Sequence, residues 1–159
     1  MAKIKYQFEH FLSEVAKEQK TAVTNIHETM TASGYKNKVE KKVSGFFVAY
    51  THPKTKRSIL NLFFRKDGLQ LRIYAENHKH YANFIDNLPE DIESQIAEAT
   101  DCKQFLTPPE CSDTCSAGYD ISIRGNRYQK CRYSCFHFKA DTNIFPVITE
   151  FIEKEKSYR

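Results

Sequence analysis

Apolar residues recur every three or four positions in several parts of the chain, as the buried stripe of an amphipathic helix requires. Residues 6–31 carry the longest stripe, and Gly34 follows it. Residues 78–99 carry two shorter stripes that Pro89 separates, and residues 144–152 carry the last, with Asp141 or Thr142 as its cap. The pattern predicts one N-terminal helix, two central helices and one C-terminal helix.

Apolar and polar residues alternate in two stretches of the first half, which is typical of half-buried strands. Residues 43–49 predict a first strand, and residues 57–65 predict a second one that turns back at Asp67-Gly68. Asp-Gly between apolar strands is a strong hairpin signal. A turn centred on this pair places Leu62 opposite Ile73, on a face that we expect to pack against helices.

A second hairpin is predicted at Gly125-Asn126, since both residues tolerate the backbone of a two-residue turn. In that register Ile123 faces Tyr128 and Asp120 faces Cys131, and the returning strand runs on through His137. Its core-facing side carries Tyr119, Ile121, Ile123, Tyr128, Phe136 and Phe138. Cys131 is therefore expected on the opposite side of the sheet.

The order helix, three strands, two helices, two strands, helix predicts an α+β fold. Two of the strand connections are tight hairpins, which join antiparallel strands and disfavour a doubly wound parallel sheet. We expect a single domain over residues 1–159, with a mostly antiparallel sheet of about five strands and helices packed on one face. A chain of 159 residues that is 40% hydrophobic is long enough to form its core without a metal.

Composition and charge indicate the cellular compartment and the kinds of partner that we expect. The first ten residues are charged and lack the apolar region of a secretion signal, and the longest apolar run is residues 46–50, so we expect a cytoplasmic protein without a membrane span. Residues 1–80 hold 15 Lys and Arg against 7 Asp and Glu, whereas residues 81–159 hold 9 against 13. Such a split favours either a surface that attracts anions or a self-complementary homodimer.

All five cysteines lie between residues 102 and 135, which makes this segment the strongest chemical signal in the chain. A structural zinc site takes thiolates from short, sharply turned segments that come together in a tetrahedron. Cys111 and Cys115 have three residues between them, within the range of zinc-binding loops. Asp120, the predicted partner of Cys131, follows Cys115 by five residues, and Cys102 ends the preceding helix. We therefore predict zinc ligation by Cys102, Cys111, Cys115 and Cys131.

Cys135 is left out of the predicted site, because residues four apart on a strand are separated by roughly 13 Å. A helical segment would put Cys131 and Cys135 on one face and would change the choice. Four thiolates leave no open position for substrate water, so the predicted role is not enzymatic. Free thiols, a disulfide and a redox or thiol enzyme that uses Cys135 with His137 stay open as alternatives.

The reverse face of the first predicted hairpin offers another alternative, a nucleic-acid or anion-binding module. Arg65, Arg72 and Tyr74 fall on the reverse side of the first hairpin, beside further polar and aromatic residues. Cations next to rings suit phosphate and base contacts. A half-solvated antiparallel sheet shows the same composition without any ligand, and arginine stems often cover rings.

Two sequence runs carry a resemblance to a known family. Residues 111–120, Cys-Ser-Asp-Thr-Cys-Ser-Ala-Gly-Tyr-Asp, and residues 128–133, Tyr-Gln-Lys-Cys-Arg-Tyr, resemble the C-terminal C-x3-C-x15-C signature of an uncharacterised family of small bacterial proteins. The similarity extends upstream through residues 72–74, Leu88-Pro89 and Cys102. The resemblance implies a bacterial, cytoplasmic protein with no established activity.

Overall fold

The structure is a computed structural model that describes residues 2–158. It contains five α-helices, seven strands and three short 3-10 helices within that range. In chain order the elements are α1 (Phe8–Ser13), a 3-10 helix (Lys17–Gln19), α2 (Lys20–Ala32), β1 (Lys36–Lys42), β2 (Gly45–Thr51), β3 (Ser58–Arg65), β4 (Gly68–Ile73), a 3-10 helix (His78–Tyr81), α3 (Ala82–Asp86), α4 (Glu90–Glu98), a 3-10 helix (Lys103–Phe105), β5 (Tyr119–Ile123), β6 (Asn126–Lys130), β7 (His137–Lys139) and α5 (Ile144–Ser157).

The strands form two antiparallel sheets. Five of them follow the order β1-β2-β3-β4-β7, and β5 pairs only with β6. The predicted α+β fold with a five-stranded antiparallel sheet is confirmed. The second hairpin forms a sheet of its own, and only the short strand β7 beyond it joins the main sheet, beside β4.

One face of the large sheet carries the central core. Leu60, Leu62 and Leu71 are fully buried on it. Helix α1 packs there through Phe11, whose ring centre lies 5.2 Å from that of Phe64. Because each of these strands alternates its side chains, the next residue along the strand points to the opposite face of the sheet.

The single helix predicted over residues 6–31 is wrong, since the chain forms α1 and α2 with residues 14–19 between them. Its apolar stripe has a gap that explains the break, because no large apolar residue stands between Val15 and Val23. Both of these valines are buried, so the two helices serve one core. Within residues 2–158 no helix is long and apolar enough to cross a membrane.

Both hairpins turn one residue earlier than predicted. In the first, Arg65 pairs with Gly68 and Leu62 with Leu71, and Gly68 itself takes the positive φ of 107°. A turn followed by such a glycine is a common hairpin form, so Asp-Gly marked the turn but not its centre. The predicted pairing of Leu62 with Ile73 is wrong by two residues, which leaves the side-chain face unchanged.

The second hairpin turns at Arg124-Gly125, where both residues have positive φ. Ile123 consequently pairs with Asn126 and Ile121 with Tyr128. The predicted pairing of Asp120 with Cys131 is wrong for this reason. Continuing the observed register beyond Tyr119 and Lys130 places Cys131 beside Gly118, three residues from Cys115.

Candidate functional site

Three backbone segments meet at Lys130, the last residue of β6. On one side Lys130 pairs with Tyr119 of β5, and on the other it forms an isolated antiparallel bridge with Asp101. Two hydrogen bonds flank that bridge: Cys102 N–H donates to the Gln129 carbonyl at 3.0 Å, and Cys131 N–H donates to the Thr100 carbonyl at 2.7 Å. Cys102 and Cys131 are therefore held on neighbouring segments.

Gly118 brings the start of β5 against the same junction. Its N–H donates to the Sγ atom of Cys102 at 3.2 Å. A Cβ atom at this position would lie 2.1 Å from the Lys130 carbonyl oxygen and 3.0 Å from the Cys102 sulfur. Only glycine allows this approach, which leaves the Gly118 N–H directed at the Cys102 sulfur.

The Lys130 side chain fixes the segment that carries Cys102. Only 7% of Lys130 is exposed, and its Nζ donates to the carbonyls of Ala97 at 2.9 Å and Ala99 at 3.0 Å and to the Asp101 carboxylate at 2.7 Å. These contacts satisfy carbonyls at the C-terminal end of α4, where helix carbonyls lack partners. Neither Lys130 nor Gly118 was predicted from the sequence, where the available signal was a lysine at an inward position of β6.

The loop with the other two cysteines is held by a turn and by Gln104. Cys115 N–H donates to the Ser112 carbonyl at 3.1 Å, which closes the turn between Cys111 and Cys115. The Gln104 amide donates to the Ser112 carbonyl at 2.5 Å and to the Cys115 carbonyl at 3.5 Å. Residues 111–115 therefore form a short, sharply turned segment that is held against Gln104.

The four predicted ligands, which we call the cysteine cluster (Cys102, Cys111, Cys115 and Cys131), lie in one neighbourhood. The pKa of the Cys115 thiol is raised, first by burial and then by Cys111, Cys131 and Cys102. As the side chains of residues 2–158 stand, no group of three or more histidine, cysteine or acidic side chains could hold a metal ion. A metal would have to draw the four sulfurs closer together.

Cys135 is more deeply buried than the thiols of the cysteine cluster. The strand geometry that was expected to separate it from Cys131 does not form. The strand predicted through His137 ends at Lys130, and Cys131 starts a turn in which its carbonyl accepts from Cys135 N–H at 2.9 Å. Cys135 is only 1% exposed, and burial raises the pKa of its thiol. A buried thiol with a raised pKa is a poor nucleophile and a poor ligand.

His137 does not activate Cys135. Its ring packs against Phe63, with 5.2 Å between ring centres, and its Nε2 atom lies 3.1 Å from the Gln70 side-chain oxygen. The pKa of His137 is lowered to about 4, by burial and then by the charges of Arg72 and Arg65. All five cysteines fall within the described residues, and all are free thiols.

The three residues that were predicted to contact nucleic acid differ in their surroundings. Arg65 and Arg72 lie on the same face of the large sheet, with guanidinium centres 5.4 and 4.9 Å from the centre of the Phe63 ring. Tyr74 is 6% exposed and lies beneath Arg132, at 5.1 Å. Its hydroxyl accepts from Asn61, so Tyr74 offers no free ring for stacking.

Comparisons with protein families, with curated proteins and with solved structures gave no significant match. The resemblance of residues 111–133 to an uncharacterised bacterial family stays a prediction.

Proposed function

We propose that this chain is a non-enzymatic domain in which Cys102, Cys111, Cys115 and Cys131 bind one structural zinc ion. The observation that supports it most is the grouping of these four thiols near the Gly118 junction, whereas the fifth, Cys135, is almost fully buried and interacts with Cys131. The pKa of Cys115 responds to the other three cluster thiols. The Cys102 sulfur already accepts a backbone N–H, as metal-bound thiolates commonly do.

The electrostatics of the cluster favour a soft divalent cation. Burial is the largest cause of the raised pKa of Cys115, and the neighbouring thiols raise it further because thiolates placed together repel each other. Zn²⁺ relieves that repulsion, displaces the thiol protons and prefers sulfur at about 2.3 Å in a tetrahedron. Since Cys111 is exposed and Cys102 is buried, the loop side of the cluster is the part that can adjust when the ion binds.

The proposed ion would connect parts of the chain that few other contacts join. Cys102 precedes the short helix Lys103–Phe105, Cys111 and Cys115 lie in the loop, and Cys131 follows β6. Residues 103–117 contain no strand and no helix longer than three residues. A closed four-thiolate site gives this loop a fixed position and leaves no coordination position for catalysis.

The test is metal analysis of the protein purified without chelator. We expect about one zinc per chain in the wild type and almost none in Cys111→Ser, because structural zinc needs all four ligands. Cys135→Ser is the matched control, since it removes a thiol that lies outside the cluster. Cobalt substitution should add the strong near-ultraviolet absorption of thiolate ligation in the wild type and in Cys135→Ser.

Two results would contradict the proposal. One is a wild-type chain that carries no zinc and binds none when it is titrated under reducing conditions. The other is equal zinc in Cys111→Ser and the wild type, which would move the metal away from the cluster.

A further inference from the structure

Two arginines differ from the others in their partners. Residues 2–158 contain six arginines, and four of them form ion pairs with carboxylates: Arg57 and Arg132 with Glu76, Arg124 with Glu93, and Arg127 with Asp120. The guanidinium groups of the remaining two, Arg65 and Arg72, form no ion pair and no hydrogen bond within the described residues. We call them the arginine pair.

The arginine pair concentrates positive charge around one ring. Both guanidinium groups lie within 5.4 Å of the Phe63 ring centre, although like charges repel. The Nε atom of Arg72 is fully buried and has no hydrogen-bond partner in residues 2–158. A buried N–H without an acceptor is destabilising, and a guanidinium binds oxyanions with charge-assisted hydrogen bonds. The arginine pair therefore has the donors and the charge that are needed to bind an oxyanion.

The positive charges of the arginine pair act on a neighbouring side chain, His137. His137 lies across from Arg72 in the β4–β7 ladder, and the charges of Arg72 and Arg65 help to lower its pKa. The nearby carboxylate, Asp67, is already paired with Lys139 at 2.8 Å. Glu40, further along the same face, is held between Lys38 and Lys42. Each of these carboxylates is shared with at least one lysine, and the Asp67 charge still acts on Arg65 and His137.

The sheet register places three lysines on the same face as the pair, each of them in an ion pair with Glu40 or Asp67. Ladder partners run from Lys38 through Ala49, Asn61 and Arg72 to His137, and so lie on one face of all five strands. Lys42 and Lys139 belong to the same face and are exposed. Four steps of about 4.8 Å between strands give a width of roughly 19 Å. That width suits a run of several phosphates better than a single small anion.

We propose that this face binds the sugar–phosphate backbone of nucleic acid, with Arg65 and Arg72 as its principal phosphate contacts. Phe63 is 8% exposed and covered by both guanidinium groups, so it supports the arginines and does not stack on bases. Tyr74 is likewise covered. Binding is therefore through phosphates and has little sequence preference.

The experiment is fluorescence anisotropy with a labelled 20-nucleotide single-stranded DNA of mixed sequence, titrated with wild-type protein at several salt concentrations. The double variant Arg65→Gln/Arg72→Gln should bind about tenfold or more weakly at low salt. Its slope of log affinity against log salt should fall by about 1.4, because two phosphate contacts contribute about 0.7 each on a single strand. Arg65→Gln alone, at an exposed position, should give about half of that change in slope.

The matched control is Arg127→Gln/Lys156→Gln, which removes two positive charges that are paired with Asp120 and Glu153. It should bind within about twofold of the wild type. Equal losses of affinity in the two double variants would overturn the proposal, since they would show that binding depends only on the net charge of the protein. Absence of wild-type binding at low salt would overturn it as well. Binding of inorganic polyphosphate without any binding of the oligonucleotide would reject nucleic acid as the partner.

Discussion

The cysteine cluster and the arginine pair are positioned by different kinds of backbone. Arg65 and Arg72 stand on adjacent strands, where a ladder of paired residues from Leu60–Ile73 to Arg65–Gly68 fixes them. The cysteine cluster is assembled from segments outside the strands, which meet through one isolated bridge and one close approach of Gly118 to Lys130. Regular pairing supports the first site, and a few single contacts support the second.

This difference predicts how each site responds to substitution. A ladder spreads its support over many hydrogen bonds, so changing a surface arginine alters charge and leaves the backbone in place. The junction beneath the cysteine cluster has few contacts, so losing one of them should lower the stability and displace the sulfurs together. The following predictions test that contrast, from the largest effect to the smallest.

Gly118→Ala should have the largest effect. Its Cβ would lie 2.1 Å from the Lys130 carbonyl oxygen, so the β5–β6 junction must open. We expect a loss of about 3 kcal/mol in the free energy of unfolding, at the upper end of overpacking effects. Urea denaturation measures it, and zinc content should fall in the same variant.

Gly125→Ala is the control for that prediction. A Cβ there meets nothing within 4 Å, and the only penalty is the positive φ of 80°. Its loss should stay near 1 kcal/mol, and zinc content should be unchanged. Equal losses in the two variants would show that the Gly118 approach is not what holds the junction.

Lys130→Met should have the next largest effect. The methionine keeps the apolar stem but removes the donor that contacts Ala97, Ala99 and Asp101. Leaving the α4 carbonyls without this partner should lower the free energy of unfolding by about 2 kcal/mol. Weaker zinc binding should accompany it, because Cys102 follows Asp101 directly. Equilibrium unfolding with and without added zinc separates the two effects.

Lys139→Met provides the contrast on the sheet face. Lys139 is an exposed lysine whose ion pair with Asp67 is also solvent-facing. Its removal should leave the free energy of unfolding unchanged within the error of the measurement, because solvent screens an exposed ion pair. A loss as large as that of Lys130→Met would contradict the distinction between the two regions.

The sequence predicted the fold class and the faces of both hairpins, because period-two alternation fixes which side chains share a face. It did not predict the turn positions. At Gly68 the glycine follows the two turn residues, and at Gly125 it is the second of them. Glycine marks where positive φ is tolerated, but the pattern alone does not say which place in the turn it fills.

The cysteine cluster was predicted from spacing, and the register used to justify it was wrong. Because Tyr119 pairs with Lys130, the continued register places Cys131 opposite Gly118 and not Asp120, which is two residues nearer to Cys115 in sequence. Lys130 and Gly118 support the cysteine cluster at the isolated bridge between Asp101 and Lys130, against which Gly118 packs closely. A bridge between residues 29 positions apart leaves no periodic signal, so sequence reasoning could not find it.

The most delicate test of the contrast is the titration of His137, which measures the field of the arginine pair without any ligand. The pKa of His137 is about 4 because burial and the charges of Arg72 and Arg65 disfavour its protonated form. Arg72→Gln removes one charge, so the pKa should rise toward the ordinary value of 6.5. Since the folded-state pKa is depressed, the wild type loses stability as the pH falls from 6.5 toward 4, and the variant should lose less.

Proton NMR of the imidazole follows the pKa of His137 directly, with Arg127→Gln as the distant control. An unchanged His137 pKa in Arg72→Gln would mean that burial alone sets it, and the sheet face would then lack the concentrated charge on which phosphate binding depends.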